Sequence, residues 1–419
     1  MTTPVPRSDF PILGRTVRGG HPLVYLDSAA TAHKPSAVLD AERAFYERSN
    51  GAVNRGSHLL AEEATEAFES ARATIAAFVG VDPDEIIWTK NATEAINVVT
   101  YAMSNVAAGR GGIATKPTWN IGPGDSIVVT EAEHHANLIP WQELAARTGA
   151  TLTWIKIDDD GRLDLSTLDV ITPSTKVVAF THISNVTGAI SPIQPIVDAA
   201  QAVGAMTVLD ACQSVPHMPV NFYELGIDLA AFSGHKMLGP TGVGALYARR
   251  GILDDVPPVW TGGSMVETVT MSEATYAPPP TRFEAGTQMV AQAVGMAEAA
   301  RYLSHAGMGE IARHEDHLMR RLLDGMIGIE GIRIIGPADP DNRIGTVAFA
   351  VDGVHPHDVG AVLDAQGIEI RVGHHCAQPI HKRMGTFASS RASLGPYNNE
   401  ADVDAFLSTL ETVRPYFGV

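Results

Sequence analysis

Cysteine is nearly absent from this 419-residue chain, occurring only as Cys212 and Cys376. Two thiols cannot build a disulfide framework, and neither sits in a C-x-x-C pair, which excludes a four-cysteine zinc site. Basic residues are also scarce: Lys+Arg number 30 against 47 Asp+Glu, for a formal net charge of −17. A nucleic-acid partner needs a basic footprint, so that class is excluded. No apolar run is long enough to span a bilayer, which argues against a membrane protein. The start, "MTTPVPRSDFPILGRTVRGG", lacks the basic-then-apolar order of a secretory signal. The expectation is a cytoplasmic protein with both thiols reduced. No G-x-G-x-x-G turn follows the first strand-like run, against a dinucleotide-binding sheet.

What is present is an ordinary globular composition, 45% hydrophobic and 18% charged. From about Asp82 to Tyr247, apolar runs alternate with amphipathic stretches. The runs are "EIIWT", "SIVVT", "TLTWIKI", "KVVAFTH", "MTVLDA", "DLAAFSG" and "VGALYA". Such alternation predicts an α/β fold with a mostly parallel sheet covered by helices. Almost unbroken apolar runs fit strands buried on both faces. After "RFEAGTQ", two helical patterns lead into "GIRIIGP", "RIGTVAFAV", "HPHDVGAVLDAQG", "IEIRVG" and a last helix, "NEADVDAFLSTLETVRPYFG". These read as a smaller α+β domain. The expected division is a large domain over 29–299 and a smaller one formed by 1–28 and 300–419. The segment from Ser104 to Asp125, rich in Gly and small residues, reads as a surface excursion.

In open parallel sheets, ligands bind beyond the carboxyl ends of the strands. Polar residues gather there. "EIIWT" leads to Asn91, Ala92 and Thr93, and "SIVVT" to His134. "KVVAFTH" leads to Asn185, "MTVLD" to Asp210 and Gln213, and "DLAAFSG" to Ser233, His235 and Lys236. Each alone has an ordinary structural role. Together they set an anion cup, an imidazole, a carboxylate and an amine along one sheet edge. A Lys at the end of a buried strand is costly unless paired or neutralised. Held as a Schiff base to a carbonyl cofactor, it is neither free nor idle. Pyridoxal phosphate (PLP) uses every one of these groups. A helix starting after "KNAT" offers backbone N–H groups to the phosphate, with hydroxyls from Thr93 and Ser233. Asp210 can pair with the pyridinium nitrogen and Gln213 can donate to the phenolic oxygen. His134 can lie over the ring and shuttle protons.

The motifs "SGHKMLGPTGVG", "LDACQSVPH", "EAEHHANLIPW" and "RVGHHCAQP" resemble those of the class V aminotransferase-like cysteine desulfurases of PLP fold-type I, and among them the SufS group (type II). The resemblance runs from "DFPIL" through "YLDSAAT" to the C-terminal helix. It implies a homodimer that converts L-cysteine to L-alanine and passes sulfur toward iron–sulfur cluster assembly. Lys236 then carries the cofactor, and Cys376 takes the substrate's sulfur as a persulfide. A nearby donor or positive charge favours the nucleophilic thiolate. Arg391 matches the family's carboxylate-binding arginine, and Arg371 a second arginine near the site. Thr287 matches a residue that reaches the phosphate of the neighbouring subunit. "NATE" stands where a Gly-Thr-Thr-Glu type of run is usual, so Ala92 brings no hydroxyl and the cup leans on backbone groups. Cys212, beside an apolar strand, reads as packing. No intrinsic metal is implied.

A selenocysteine lyase is the nearest rival reading. A class V aminotransferase has no use for Cys376, and a non-catalytic relative would carry an impaired Lys236 or Cys376 motif. In "DGVHPHDVG", His357 matches members that serve a zinc-bearing SufU-like sulfur acceptor. There the imidazole replaces a thiolate on the acceptor's zinc.

Overall fold

The computed structural model describes residues 3–110, 119–254 and 256–419. The seven apolar runs all become strands of one sheet: β1 (Ile86–Thr89), β2 (Ser126–Thr130), β3 (Thr151–Ile155), β4 (Thr175–Thr181), β5 (Met206–Asp210), β6 (Leu229–Ser233) and β7 (Gly244–Ala248). Their order is β1-β7-β6-β5-β4-β2-β3, and β7 alone runs antiparallel to its neighbours. Successive side chains alternate between the two faces, as strand geometry requires. In β5 and β6, Leu209, Ala230 and Phe232 enter one core. Val208, Leu229 and Ala231 enter the other. Helices cover both faces. Ile193–Val203, Leu59–Phe78 and Val290–Ala306 supply the first core, and Ala92–Ala107 with Ile139–Thr148 the second. Trp154, on the edge strand β3, stays exposed.

A second, all-antiparallel sheet follows: β8 (Ile332–Ile335), β9 (Thr346–Val351), β10 (Arg371–Gly373) and β11 (Ser389–Ser393), in the order β8-β9-β11-β10. Helices Met308–Ile327, Pro356–Asp364 and Glu400–Phe417 pack with it around Leu318, Leu322, Phe349 and Phe406. The run that makes β11, "SSRAS", has no apolar alternation, and sequence patterning gave no strand there. Its five residues are nevertheless all buried. Their polar groups find partners inside: Ser389 Oγ meets the rings of His375 and His381, and Arg391 meets Asp27.

The N-terminal segment joins both layers. Val24–Tyr25 pairs in parallel with Ile368–Glu369, and Val24 and Leu26 enter the smaller core. Val5, Phe10, Leu13 and Leu23 enter the larger one. The expected surface excursion from Ser104 to Asp125 needs correction at both ends. The helix Ala92–Ala107 runs into it, and Trp119 and Ile121 are buried in the second core. Trp119 Nε1 donates to the Ile252 carbonyl at 3.0 Å. Two large apolar side chains in a small-residue stretch were the overlooked signal; the middle of the stretch, 111–118, lies outside the described residues.

Candidate active site

The carboxyl ends of β2, β4, β5 and β6 meet the turn after β10 around a cavity of about 190 Å³. Its lining includes Ala92, Thr93, His134, Asn185, Asp210, Gln213, Ser233, His235, Lys236, Arg371, Cys376 and Arg391. Every residue expected to act on cofactor or substrate is therefore present, except Thr287.

On the sheet side, Asn91 caps the helix Ala92–Ala107 by accepting the Glu94 N–H at 2.9 Å. The Ala92 N–H donates to Ser233 Oγ at 2.9 Å. The Thr93 N–H belongs to the first helical turn, whose donors have no partner within the helix. That leaves the Thr93 N–H with the Thr93 and Ser233 hydroxyls as an anion cup, the Ala92 N–H being spent on holding Ser233 in place. Lys236 ends a single helical turn, Gly234–Lys236, directly after β6. The neighbouring His235 carbonyl accepts the Ala32 N–H at 3.0 Å. Asp210 ends β5, with one oxygen on the Cys212 N–H at 3.0 Å.

On the opposite side, β10 and β11 set Arg371 directly across from Arg391. Arg391 is 1% exposed. It donates to the Asn185 carbonyl and to Asp27 Oδ1, both at 2.9 Å. Arg371 donates to Cys376 Sγ at 3.6 Å. The turn itself is unusual: His375 (φ 51°) and Cys376 (φ 55°) are successive left-handed residues, neither of them glycine. Asn185 Nδ2 holds the His375 carbonyl at 2.7 Å, and the His135 N–H holds that of Cys376 at 2.6 Å.

Three buried polar atoms at this cavity have no protein partner: Gln213 Oε1, Arg391 Nε and His375 Nδ1. Buried polar groups are almost always paired, so their convergence marks where a polar ligand belongs. An anion cup, a carboxylate, a Lys and a guanidinium, all on residues that line one cavity, fit a phosphorylated pyridine aldehyde with an amino acid beside it.

Residues 24–406 match the family model described as Aminotransferase class-V. The chain is 55% identical to a probable cysteine desulfurase of Mycobacterium leprae, covering 98% of this chain and 96% of that one. It is 42% identical to a cysteine desulfurase of Haloferax volcanii, covering 98% and 96%. Among solved structures, the cysteine desulfurase of Thermococcus onnurineus NA1 superposes with a TM-score of 0.90 at 37% identity, covering 99% and 98%. The cysteine desulfurase CsdA of Escherichia coli gives 0.86 at 33%, covering 98% of each chain.

The chain belongs to the class-V aminotransferase family.

Within this class-V site, burial sets the charge states. It pushes His134 down to about 3, reinforced by Lys236, so its imidazole is neutral. Nδ1 accepts the Ala136 N–H at 3.0 Å, which leaves the ring proton on Nε2. His235 is likewise pushed to about 4 by burial, then by Lys236. Burial raises the Asp27 carboxyl, against the pull of Arg391. The Cys212 thiol is raised far above its ordinary 9.0, by burial first and by Asp210 second.

Two residues of the class-V site escaped the sequence reading. Asp27, inside "YLDSAAT", is the counter-ion of Arg391. Glu133 is fully buried and takes hydrogen bonds from Thr130 Oγ1, Asn137 Nδ2 and the Thr181 N–H. It braces the turn carrying His134 from beneath. A carboxylate beside a double histidine in "EAEHH" was the available signal. Two expected residues lie elsewhere. Thr287 is exposed, in a separate depression with Phe68, Trp88 and Trp260. His357 is exposed at the start of helix Pro356–Asp364, its ring stacked on His355 with centroids 5.4 Å apart.

Proposed function

We propose that this protein is a PLP-dependent cysteine desulfurase: L-cysteine plus the Cys376 thiol gives L-alanine plus a Cys376 persulfide. One observation carries the reading. A single cavity presents Lys236, Asp210 and an anion cup on one wall and Cys376, with a guanidinium 3.6 Å from its sulfur, on the other. Plain transamination needs no thiol there.

PLP, when bound, supplies the electron sink that weakens bonds at the substrate's carbon. Thr93, Ser233 and the Ala92 turn would hold its phosphate, Asp210 its ring nitrogen and Lys236 its carbonyl carbon. The chain's own residues do the rest. Arg391, on the cavity lining and charge-balanced by Asp27, would take the substrate carboxylate. Lys236, once released by substrate, moves the proton at the substrate's α-carbon. His134 is neutral and offers a proton from Nε2. The Cys376 thiolate attacks the substrate's sulfur. An S–S bond forms, the carbon–sulfur bond breaks with its electrons returning to carbon, and that carbon is protonated to the methyl group of alanine.

The finer reading extends this. The chain is taken as a SufS-type enzyme in a cytoplasmic setting, with a large domain over 29–299. It acts as a homodimer in which Thr287 completes the neighbour's phosphate site. Its exposed position, away from its own cavity, supports that role. The sulfur goes to iron–sulfur cluster assembly through a zinc-bearing SufU-like acceptor, and the exposed His357 is free to serve as a zinc ligand. His357→Ala should keep basal alanine release and lose most stimulation by that acceptor; equal stimulation at matched zinc loading would remove His357 from the reading. The core reading is tested with Lys236→Ala. The purified protein's visible cofactor band should respond to added L-cysteine in wild type, and in the variant both the native band and turnover should be gone. Comparing alanine release from cysteine and selenocysteine separates the desulfurase from a selenocysteine lyase.

A further inference from the structure

We propose that His135 is a positioning residue for Cys376, gripping the nucleophile's turn at two points, the Cys376 carbonyl and the Gln378 N–H. The inference rests on the reading of Cys376 as the sulfur-accepting nucleophile. His134 and Ala136 line the active-site cavity. His135 instead lines an open groove on the other side of the Cys376 turn, with His374 and Gln378.

The turn needs holding. Two successive left-handed conformations at non-glycine residues persist only where the surroundings over-determine them. The Asn185 side chain secures the first carbonyl, that of His375. His135 secures the next residues at two points. Its main-chain N–H donates to the Cys376 carbonyl at 2.6 Å. Its ring Nε2 accepts the Gln378 N–H at 3.1 Å. Gln378 opens the short helix Gln378–Arg383, and the residue before it, Ala377, has no side-chain oxygen with which to cap it. The imidazole, arriving from the turn after β2, does the work of that missing cap. Cys376 is thus fixed by its own carbonyl and by the amide two residues on, both held by one residue. The same short turn carries His134, so the nucleophile and the imidazole in the cavity are set in one frame. A displacement of about 1 Å at a reacting atom can cost about a hundredfold in rate, so a grip at this point matters to chemistry more than to folding.

The ring half of the grip can be removed without touching the backbone half. Holoenzyme carrying His135→Ala and His135→Asn is compared with wild type; the Asn side-chain oxygen can still accept the Gln378 N–H. The measurements are kcat and KM for alanine formation, the visible cofactor spectrum, and the rate at which iodoacetamide alkylates Cys376 without substrate, read by peptide mass. One neutral hydrogen bond corresponds to about three- to tenfold. His135→Ala should lower kcat by about that factor, with KM and the cofactor spectrum unchanged, and raise the alkylation rate as the turn loosens. His135→Asn should recover most of both. Wild-type kcat and alkylation in His135→Ala would overturn the role. Equal loss in both variants, accompanied by a changed cofactor spectrum, would also overturn it by showing damage to the fold. Cys376→Ala, run alongside, separates the two layers. Persulfide formed in its absence would bring down the nucleophile reading and this role together, whereas failure confined to the His135 variants brings down the grip alone.

Discussion

Cys212 and Cys376 line the same cavity, yet their surroundings make them opposite kinds of thiol. Cys212 follows β5 in the rigid floor of the sheet. It is buried, its N–H is tied to Asp210, and its sulfur lies 3.9 Å from Ser233 Oγ. The adjoining carboxylate and the lack of water hold it as a neutral thiol. Cys376 sits half-exposed on a strained turn of the smaller sheet, its sulfur beside the Arg371 guanidinium. Position in a pocket is therefore a poor guide to reactivity. The large sheet supplies a fixed bed of polar groups, and the reactive sulfur is brought to it on a separate element with its own cation. Strain is concentrated on that second element, where a loop has to present one atom rather than fill a core.

The two thiols should respond differently to substitution. Cys376→Ala should reduce persulfide and alanine formation to background while leaving the cofactor's visible spectrum intact; sustained turnover would give the chemistry to another group. Arg371→Ala should slow alkylation of Cys376 by about tenfold, the scale of one hydrogen bond to a charged group; an unchanged rate in a stopped-flow assay would leave the 3.6 Å contact without consequence. Cys212→Ala should stay fully active and lose about 1 kcal/mol in urea unfolding, the usual size of a small core change. The smallest effect is in pH. The folded-state pKa of Cys212 is raised, so its stabilising contribution is complete below the unfolded value near 9 and is lost as pH rises above it. Wild type should lose stability above about pH 9 slightly more steeply than Cys212→Ala, and superimposable alkaline melting curves would show that this thiol is not held neutral.

The seven strands of the large sheet were legible because each is buried on both faces and must therefore be apolar throughout. The polar residues at their ends were legible for the complementary reason: each interrupts an apolar run at the edge where ligands bind. β11 was hidden because its burial is used to bury charge. Arg391 sits in the middle of "SSRAS" and its counter-ion, Asp27, lies 364 residues away in sequence. A pair so distant leaves no periodicity to read. Glu133 was passed over because a carboxylate next to two histidines looks like part of the polar edge, whereas it is a buried brace. Thr287 and His357 were picked out by motif alone, and both lie exposed outside this chain's own cavity.

On the function proposed, sulfur moves to the half-exposed Cys376 thiol and not to the buried Cys212. The most direct measurement is peptide mass spectrometry of the holoenzyme after brief treatment with L-cysteine and trapping of the persulfide. One added sulfur is expected on the peptide containing Cys376 and none on that containing Cys212. Added sulfur on Cys212, with Cys376 unmodified, would contradict it.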